Sequence, residues 1–278
     1  MKLGKIWAVY FSGTGTTRRT VERIARGIAS RLNLPAESVD FSRPAVRQET
    51  LGFGEKDLVV FGTPVYAGRV PNVLLPFLRE RIVGGGALAV PVVLFGNRNY
   101  DDALIELRNI LAADGMHPIA AGAFVGEHSF SRVLGANRPN AEDEALMDEF
   151  AARVAALAAG LDATPVKSVA VRGQEPLRPY YTPRDRAGNP INILKVKPKT
   201  DMSRCGGCGL CANLCPMGSI DPTDVSAVRG ICIKCCACVK GCPTGAKFFD
   251  DAGYLYHQHE LEAQYARPAE NEVFYIQL

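Results

Sequence analysis

Short apolar runs punctuate the first part of the chain: Ile6–Phe11, Val39–Phe41, Leu58–Gly62, Ala87–Phe95 and Ile119–Val125. Each is nearly continuous rather than alternating, which is the pattern of parallel strands covered on both faces. Helical periodicity fills the gaps. Over 16–32, Val21, Ile24, Ala25 and Ile28 form one apolar stripe while Arg19, Arg23 and Arg26 form a solvated face. Further helices are expected over 71–82, 101–114 and 141–161. Strands and helices in alternation predict an α/β fold with a doubly wound parallel sheet.

The pattern stops near Asp162. Residues 163–198 carry prolines at 165, 176, 179, 183, 190 and 198 and little periodicity. That is too long for a loop within one compact domain, so it reads as a connector packed along the surface. Four segments result: 1–162, the connector 163–198, a cysteine-rich module 199–250 and a tail 251–278 packing on the domains. The tail ends in a strand-like run, Val273–Leu278, with no evident partner.

Eight of the nine cysteines form two copies of one pattern, 27 residues apart: Cys205, Cys208, Cys211 and Cys215 before Pro216, then Cys232, Cys235, Cys238 and Cys242 before Pro243. This spacing is the run that binds a pair of [4Fe–4S] clusters, with the fourth cysteine of each copy serving the other cluster. One set is therefore Cys205, Cys208, Cys211 and Cys242; the other is Cys232, Cys235, Cys238 and Cys215. Gly206, Gly207 and Gly209 permit the tight curl of the first copy. A zinc ribbon has no use for this register or the trailing prolines, and a disulfide framework needs an oxidising compartment. Cys236 neighbours a ligand and should point away as a small buried apolar group.

Composition adds only bounds. The chain is 47% hydrophobic and 22% charged, enough for a sizeable core, and its net charge of +3 is too small to suggest nucleic acid. No apolar stretch is long enough for a membrane span, and no signal-peptide pattern is present, so a cytoplasmic protein is expected. Oligomeric state is not legible.

The first strand runs into Ser12-Gly13-Thr14-Gly15-Thr16-Thr17, and a helix follows at once. Backbone N–H groups at a helix start, with glycines and hydroxyls, make an anion site. A dinucleotide fingerprint would need glycine where Arg18 stands, and no P-loop lysine is present. A hydroxyl-rich loop of this kind suits one phosphate monoester, such as that of FMN.

Residues 1–162 resemble a flavodoxin domain, whose phosphate loop this hexapeptide fits. The resemblance implies a five-stranded sheet of order 2-1-3-4-5 and FMN held by three loops: Ser12–Thr17; Pro64, Val65, Tyr66, Ala67, Gly68 and Arg69; and Gly96, Asn97, Arg98, Asn99 and Tyr100. It implies that Tyr100 stacks on the isoalloxazine, with Tyr66 as a second contact. With the cysteine module as a two-cluster, ferredoxin-like α+β domain, the chain resembles flavodoxin–ferredoxin fusion proteins of anaerobes. That resemblance implies electron transfer to partner redox proteins with no catalytic side chain. The alternative is an FMN-dependent reductase of a quinone, nitro compound or ferric chelate, and a redox sensor is a weaker third. His128 is a conceivable proton donor, although a plain loop residue is the simpler reading. Arg69 and Arg98, if within about 6 Å of the ring, would favour negative charge on it by roughly 1–2 kcal/mol.

Overall fold

A computed structural model describes residues 2–277; Met1 and Leu278, the outer ends of the first segment and of the tail, lie outside the described residues. Strand β1 (Lys5–Tyr10) leads into helix α1 (Thr16–Leu32), followed by β2 (Ala36–Asp40), β3 (Asp57–Pro64), α2 (Leu75–Glu80), β4 (Leu88–Phe95), α3 (Ala103–Ala113), β5 (Ala120–Val125) and α4 (Ala141–Ala159). These five strands are parallel in the order β2-β1-β3-β4-β5. β4 is buried at every position, as its unbroken apolar sequence requires. Two cores form, one on each face of the sheet; Ile24, Ala25 and Ile28 of α1 and Phe150 of α4 fill one, and Phe41, Phe61 and Leu104 belong to the other.

The expected helix over 71–82 is reduced to a 3₁₀ turn, Asn72–Leu74, running into α2. Pro76 at the second position of α2 fits a helix start, where its missing N–H costs nothing.

The cysteine module contains two short helices, α5 (Leu210–Leu214) and α6 (Ala237–Lys240), and a two-residue ladder joining Lys199–Thr200 to Lys247–Phe248. The 27-residue repeat persists in the backbone. Gly207 and Gly209 have φ of 66° and 69°; their counterparts Lys234 and Cys236 have 54° and 58° although neither is glycine. Gly218 and Gly245 match likewise, and the N–H groups of Ser219 and Ala246 donate to Cys215 Sγ at 3.4 Å and Cys242 Sγ at 3.2 Å.

The tail forms α7 (Ala252–Gln264) and then β6 (Glu272–Tyr275), which pairs antiparallel with β5 and extends the first domain's sheet. Third-loop residues hold it there. The Asn97 side chain donates to the carbonyls of Tyr265 (2.6 Å) and Arg267 (2.9 Å) and accepts from Ala269 N–H (3.0 Å); Tyr100 Oη donates to Glu272 at 2.7 Å. The N-terminal sheet is thus completed by residues beyond the cysteine module.

The two units meet directly. Lys240 Nζ at the end of α6 donates to the carbonyls of His128 (2.6 Å) and Ser131 (2.9 Å) and pairs with Glu127, all on the loop after β5. Arg47 binds the carbonyls of Phe41 and Ser42 on one side and Pro216, next to Cys215, at 2.6 Å on the other. Lys240→Met should leave its acceptors without a donor and cost about 2–4 kcal/mol. Chemical denaturation should then show the cysteine module unfolding before the sheet domain, where the parent protein unfolds more cooperatively.

Candidate functional site

Gly15, with φ of 89°, caps α1 from the left-handed region and turns the preceding loop back over the helix start. Ser12 accepts the Arg18 N–H on its Oγ at 3.2 Å, and Ser42 Oγ accepts the Ser12 N–H at 2.7 Å, which fixes the loop. The backbone N–H groups of residues 13–17 have no acceptor among the described residues. Unpaired donors grouped at the positive end of a 17-residue helix form a cradle for an anion. A pocket beside them is lined by Gly13, Thr14, Thr16, Thr17, Pro64, Val65, Tyr66 and Gly96 from the first domain, and by Cys235 from the module.

Next to it lies a larger cavity of 340 Å³. Val65, Tyr66, Ala67 and Gly68 form one wall; a tight turn with Ala67 at φ 52° and Gly68 at 77°, closed by reciprocal bonds between Tyr66 and Arg69, presents them. Gly96, Arg98 and Asn99 come from the third loop, and His128, Ser129 and Phe130 follow β5. The remaining wall belongs to neither sheet nor helix of the first domain: Tyr180, Tyr181 and Leu194 from the connector, Ile231–Lys234 from the cysteine module, and His257 and Leu261 from α7. An apolar, aromatic slot opening beside a phosphate-sized cradle fits FMN, so the residues present suit the group the loops suggest.

Three expected ring contacts are engaged elsewhere. Tyr100 is fully buried against Phe95 at 5.4 Å between centroids, under the Arg172 guanidinium at 4.3 Å, and bonded to Glu272, so it closes the core instead of facing the slot. Asn97 is spent on the tail. Arg69 makes a two-pronged pair with buried Glu106, both bonds at 2.7 Å, and stacks on Tyr180 at 4.8 Å. Its charge is compensated there, and it lines neither cavity. Arg98 does line the slot, paired with Asp101. Ser12 and Gly15 shape the cradle without lining the pocket beside it.

Lys234 supplies the cation that Arg69 does not. Its ammonium donates to the carbonyls of Leu194 (2.5 Å) and Cys232 (3.0 Å), has no carboxylate partner among the described residues, and borders the slot. Among the described residues no Asp or Glu lines the slot. The repeat offered the signal: a lysine stands at a left-handed position where the first copy has Gly207. His128 has its pKa pushed down to about 3, first by burial and then by Lys240, and its Nδ1 accepts the Phe130 N–H at 3.1 Å. It is neutral near physiological pH, which removes the imidazolium a proton donor would need.

The eight repeat cysteines divide between two further cavities. Cys205, Cys208, Cys211 and Cys242 line one; Cys215, Cys232, Cys235 and Cys238 line the other, with Cys236 beside them. Among the described residues no three His, Cys, Asp or Glu side chains converge closely enough to hold a single ion. Burial pushes the Cys238 thiol up to about 12 and Cys235 up as well; ligation therefore needs the charge of bound iron to remove their protons. Cys236 is buried, with its sulfur 3.4 Å from Tyr254 Oη on α7. The two sets differ in exposure. Cys235 and Cys238 are buried, Cys235 beside Gly13 of the first domain, whereas Cys208 is exposed. A Cβ built on Gly13 would lie 3.0 Å from Cys235 Cβ and 3.4 Å from Tyr66 Oη, so the phosphate cradle and the inner cysteine set are in van der Waals contact.

Comparisons with known proteins agree with this assembly. Residues 8–101 match the family model described as a flavodoxin domain, and residues 198–221 match that of a 4Fe-4S binding domain. The chain thus joins a flavodoxin domain to a 4Fe-4S binding motif, the composition of a flavodoxin–ferredoxin fusion. No curated protein matches. Among solved structures it is similar to a flavodoxin from the domain Archaea (17% identity, 55% of this chain and 97% of that one, TM-score 0.41). It is also similar to rubredoxin oxygen:oxidoreductase from the anaerobe Desulfovibrio gigas (17%, 58% and 38%, 0.36) and to an apo NADH:FMN oxidoreductase (16%, 59% and 91%, 0.39).

Thr14→Glu tests the cradle. A carboxylate beside the five free N–H groups should repel a phosphate dianion and weaken FMN binding on the order of a hundredfold or more, read by fluorescence titration. The same charge favours a helix N-terminus, so the thermal midpoint of the FMN-free protein should hold or rise.

Proposed function

We propose that the chain passes low-potential electrons between two [4Fe–4S] clusters and FMN, and on to a partner redox protein. Its electron-transfer character follows from the two matched domains; the cluster count, the order of centres and the partner are our reading. Bound FMN would supply one- and two-electron chemistry, and the clusters one-electron chemistry at low potential.

The observation that carries the reading is the contact between Cys235 and the phosphate cradle at Gly13, together with Cys232 in the wall of the slot. One cysteine set borders the flavin site and the other includes the exposed Cys208. That arrangement suits a sequence in which a partner exchanges electrons at the Cys205, Cys208, Cys211, Cys242 set and the inner set relays them. The side chains bind, orient and shield: residues 13–17 take the phosphate, Tyr66 and the aromatic wall exclude water, and Lys234 offers positive charge beside the slot. Fusion in one chain replaces a diffusional encounter with a fixed one. No described helix is long and apolar enough to cross a membrane, and eight thiols committed to iron suit a reducing compartment such as the cytoplasm.

One observation favours the reductase reading. The slot is walled by connector and α7 as well as by the flavin loops, a shape that keeps out a protein but not a small oxidant.

The two readings separate on anaerobically reduced protein. A carrier should exchange with a bacterial-type ferredoxin and lose that exchange in Cys208→Ser, while quinones, nitro compounds and ferric chelates give little beyond one stoichiometric reoxidation. Sustained turnover with any of these small oxidants, unaffected by Cys208→Ser when the flavin is reduced directly, would establish a reductase instead.

A further inference from the structure

We propose that Tyr181, which belongs to the proline-rich connector and not to the flavodoxin domain, is the aromatic side chain that packs against the flavin ring in the slot. The inference rests on the FMN reading above and concerns which residue of this chain meets the ring.

Connector residues 174–181 are pinned to the flavin loops. Asp102, fully buried, accepts the N–H groups of Gln174 at 3.0 Å and Arg178 at 2.8 Å. Arg69 donates to the carbonyl of Arg178, and Tyr180 Oη donates to the carbonyl of Val70 at 2.9 Å. The Tyr181 N–H then donates to the carbonyl of Ala67 at 2.9 Å, and Ala67 is itself a wall of the slot. The Tyr181 backbone is therefore fixed to the second flavin loop by a direct bond.

Its ring is held as firmly. The Arg98 guanidinium lies 4.6 Å from the Tyr181 centroid, and the His257 ring stacks on it at 6.0 Å and 28° between planes. One contact comes from the third loop and the other from α7. Even so, Tyr181 remains 37% exposed and lines the slot. A rigid aromatic braced from two elements, partly uncovered and bordering a flavin-sized slot, is pre-organised for a flat apolar partner. Tyr100 cannot take that part, because it is fully buried and bonded to Glu272.

This assignment links the connector to cofactor binding: the residues that join the two domains also close the flavin site. The test uses the full-length, cluster-loaded chain, titrated with FMN while affinity and the fluorescence of bound flavin are read together. Tyr181→Leu should weaken FMN about tenfold and brighten the bound flavin, because stacked aromatics quench it. Tyr181→Phe should bind and quench like the parent, which shows that the site still folds. Tyr100→Phe should lower the thermal midpoint through the lost Glu272 bond yet leave affinity and quenching alone. If the parent binds FMN but Tyr181→Leu matches it in both readouts, the assignment is overturned. If the parent itself does not bind FMN, the functional reading fails instead, and Tyr181 has no ring to meet.

Discussion

The close approach of Gly13 to Cys235 governs this molecule. A loop that wraps a phosphate needs bare backbone, and here the same absence of a side chain lets the cysteine loop settle on its outer surface. A Cβ at Gly13 would meet Cys235 at a separation tighter than ordinary van der Waals contact. The other contacts between the units follow from keeping that approach fixed. Lys240 ties α6 to the loop after β5, Arg47 ties the Pro216 turn to the loop after β2, and β6 returns across the module to complete the sheet. Because the chain leaves the sheet, builds the cysteine module and then comes back, the two units are stapled at both ends.

Buried charge serves this stapling. Glu106 is 1% exposed, yet it accepts two bonds from Arg69 and one from the Val70 N–H, so its carboxylate is well satisfied. Such a pair contributes little net stability against an apolar substitute, but removing one partner leaves an uncompensated charge. Its value here is positional: Arg69 reaches the connector carbonyl at Arg178, and neighbouring Asp102 takes two connector N–H groups. The connector has few regular hydrogen bonds of its own, and these side chains supply them.

Much of this was legible in the sequence because it depends on local rules. The apolar runs gave the five parallel strands while the flavodoxin resemblance implied their order, and the helix over 16–32 appears with those limits because Gly15 and Asn33 both adopt left-handed backbone. The cysteines of each expected set line one cavity. What escaped depends on contacts distant in sequence. Tyr100 sits in the right loop, but nothing local says that its ring turns inward to meet Glu272, 172 residues later. The strand at 272–275 has no partner until the sheet edge at β5 is known. Lys234 and Tyr181 lie in segments that sequence reading assigns to cluster binding and linkage, and only packing brings them to the slot. Cys236, beside a ligand in sequence, is a small buried group against Tyr254.

In the proposed reading, the inner cysteine set and the flavin site form one electron-transfer unit inside a single chain. Flash reduction of the iron–sulfur module, followed at the flavin absorbance over a range of protein concentrations, tests it most directly. Reduced flavin should rise in a first-order process whose rate does not change with protein concentration and which is lost in Cys235→Ser. A rate proportional to protein concentration would mean that electrons pass between molecules, and the contact at Gly13 would then be packing alone.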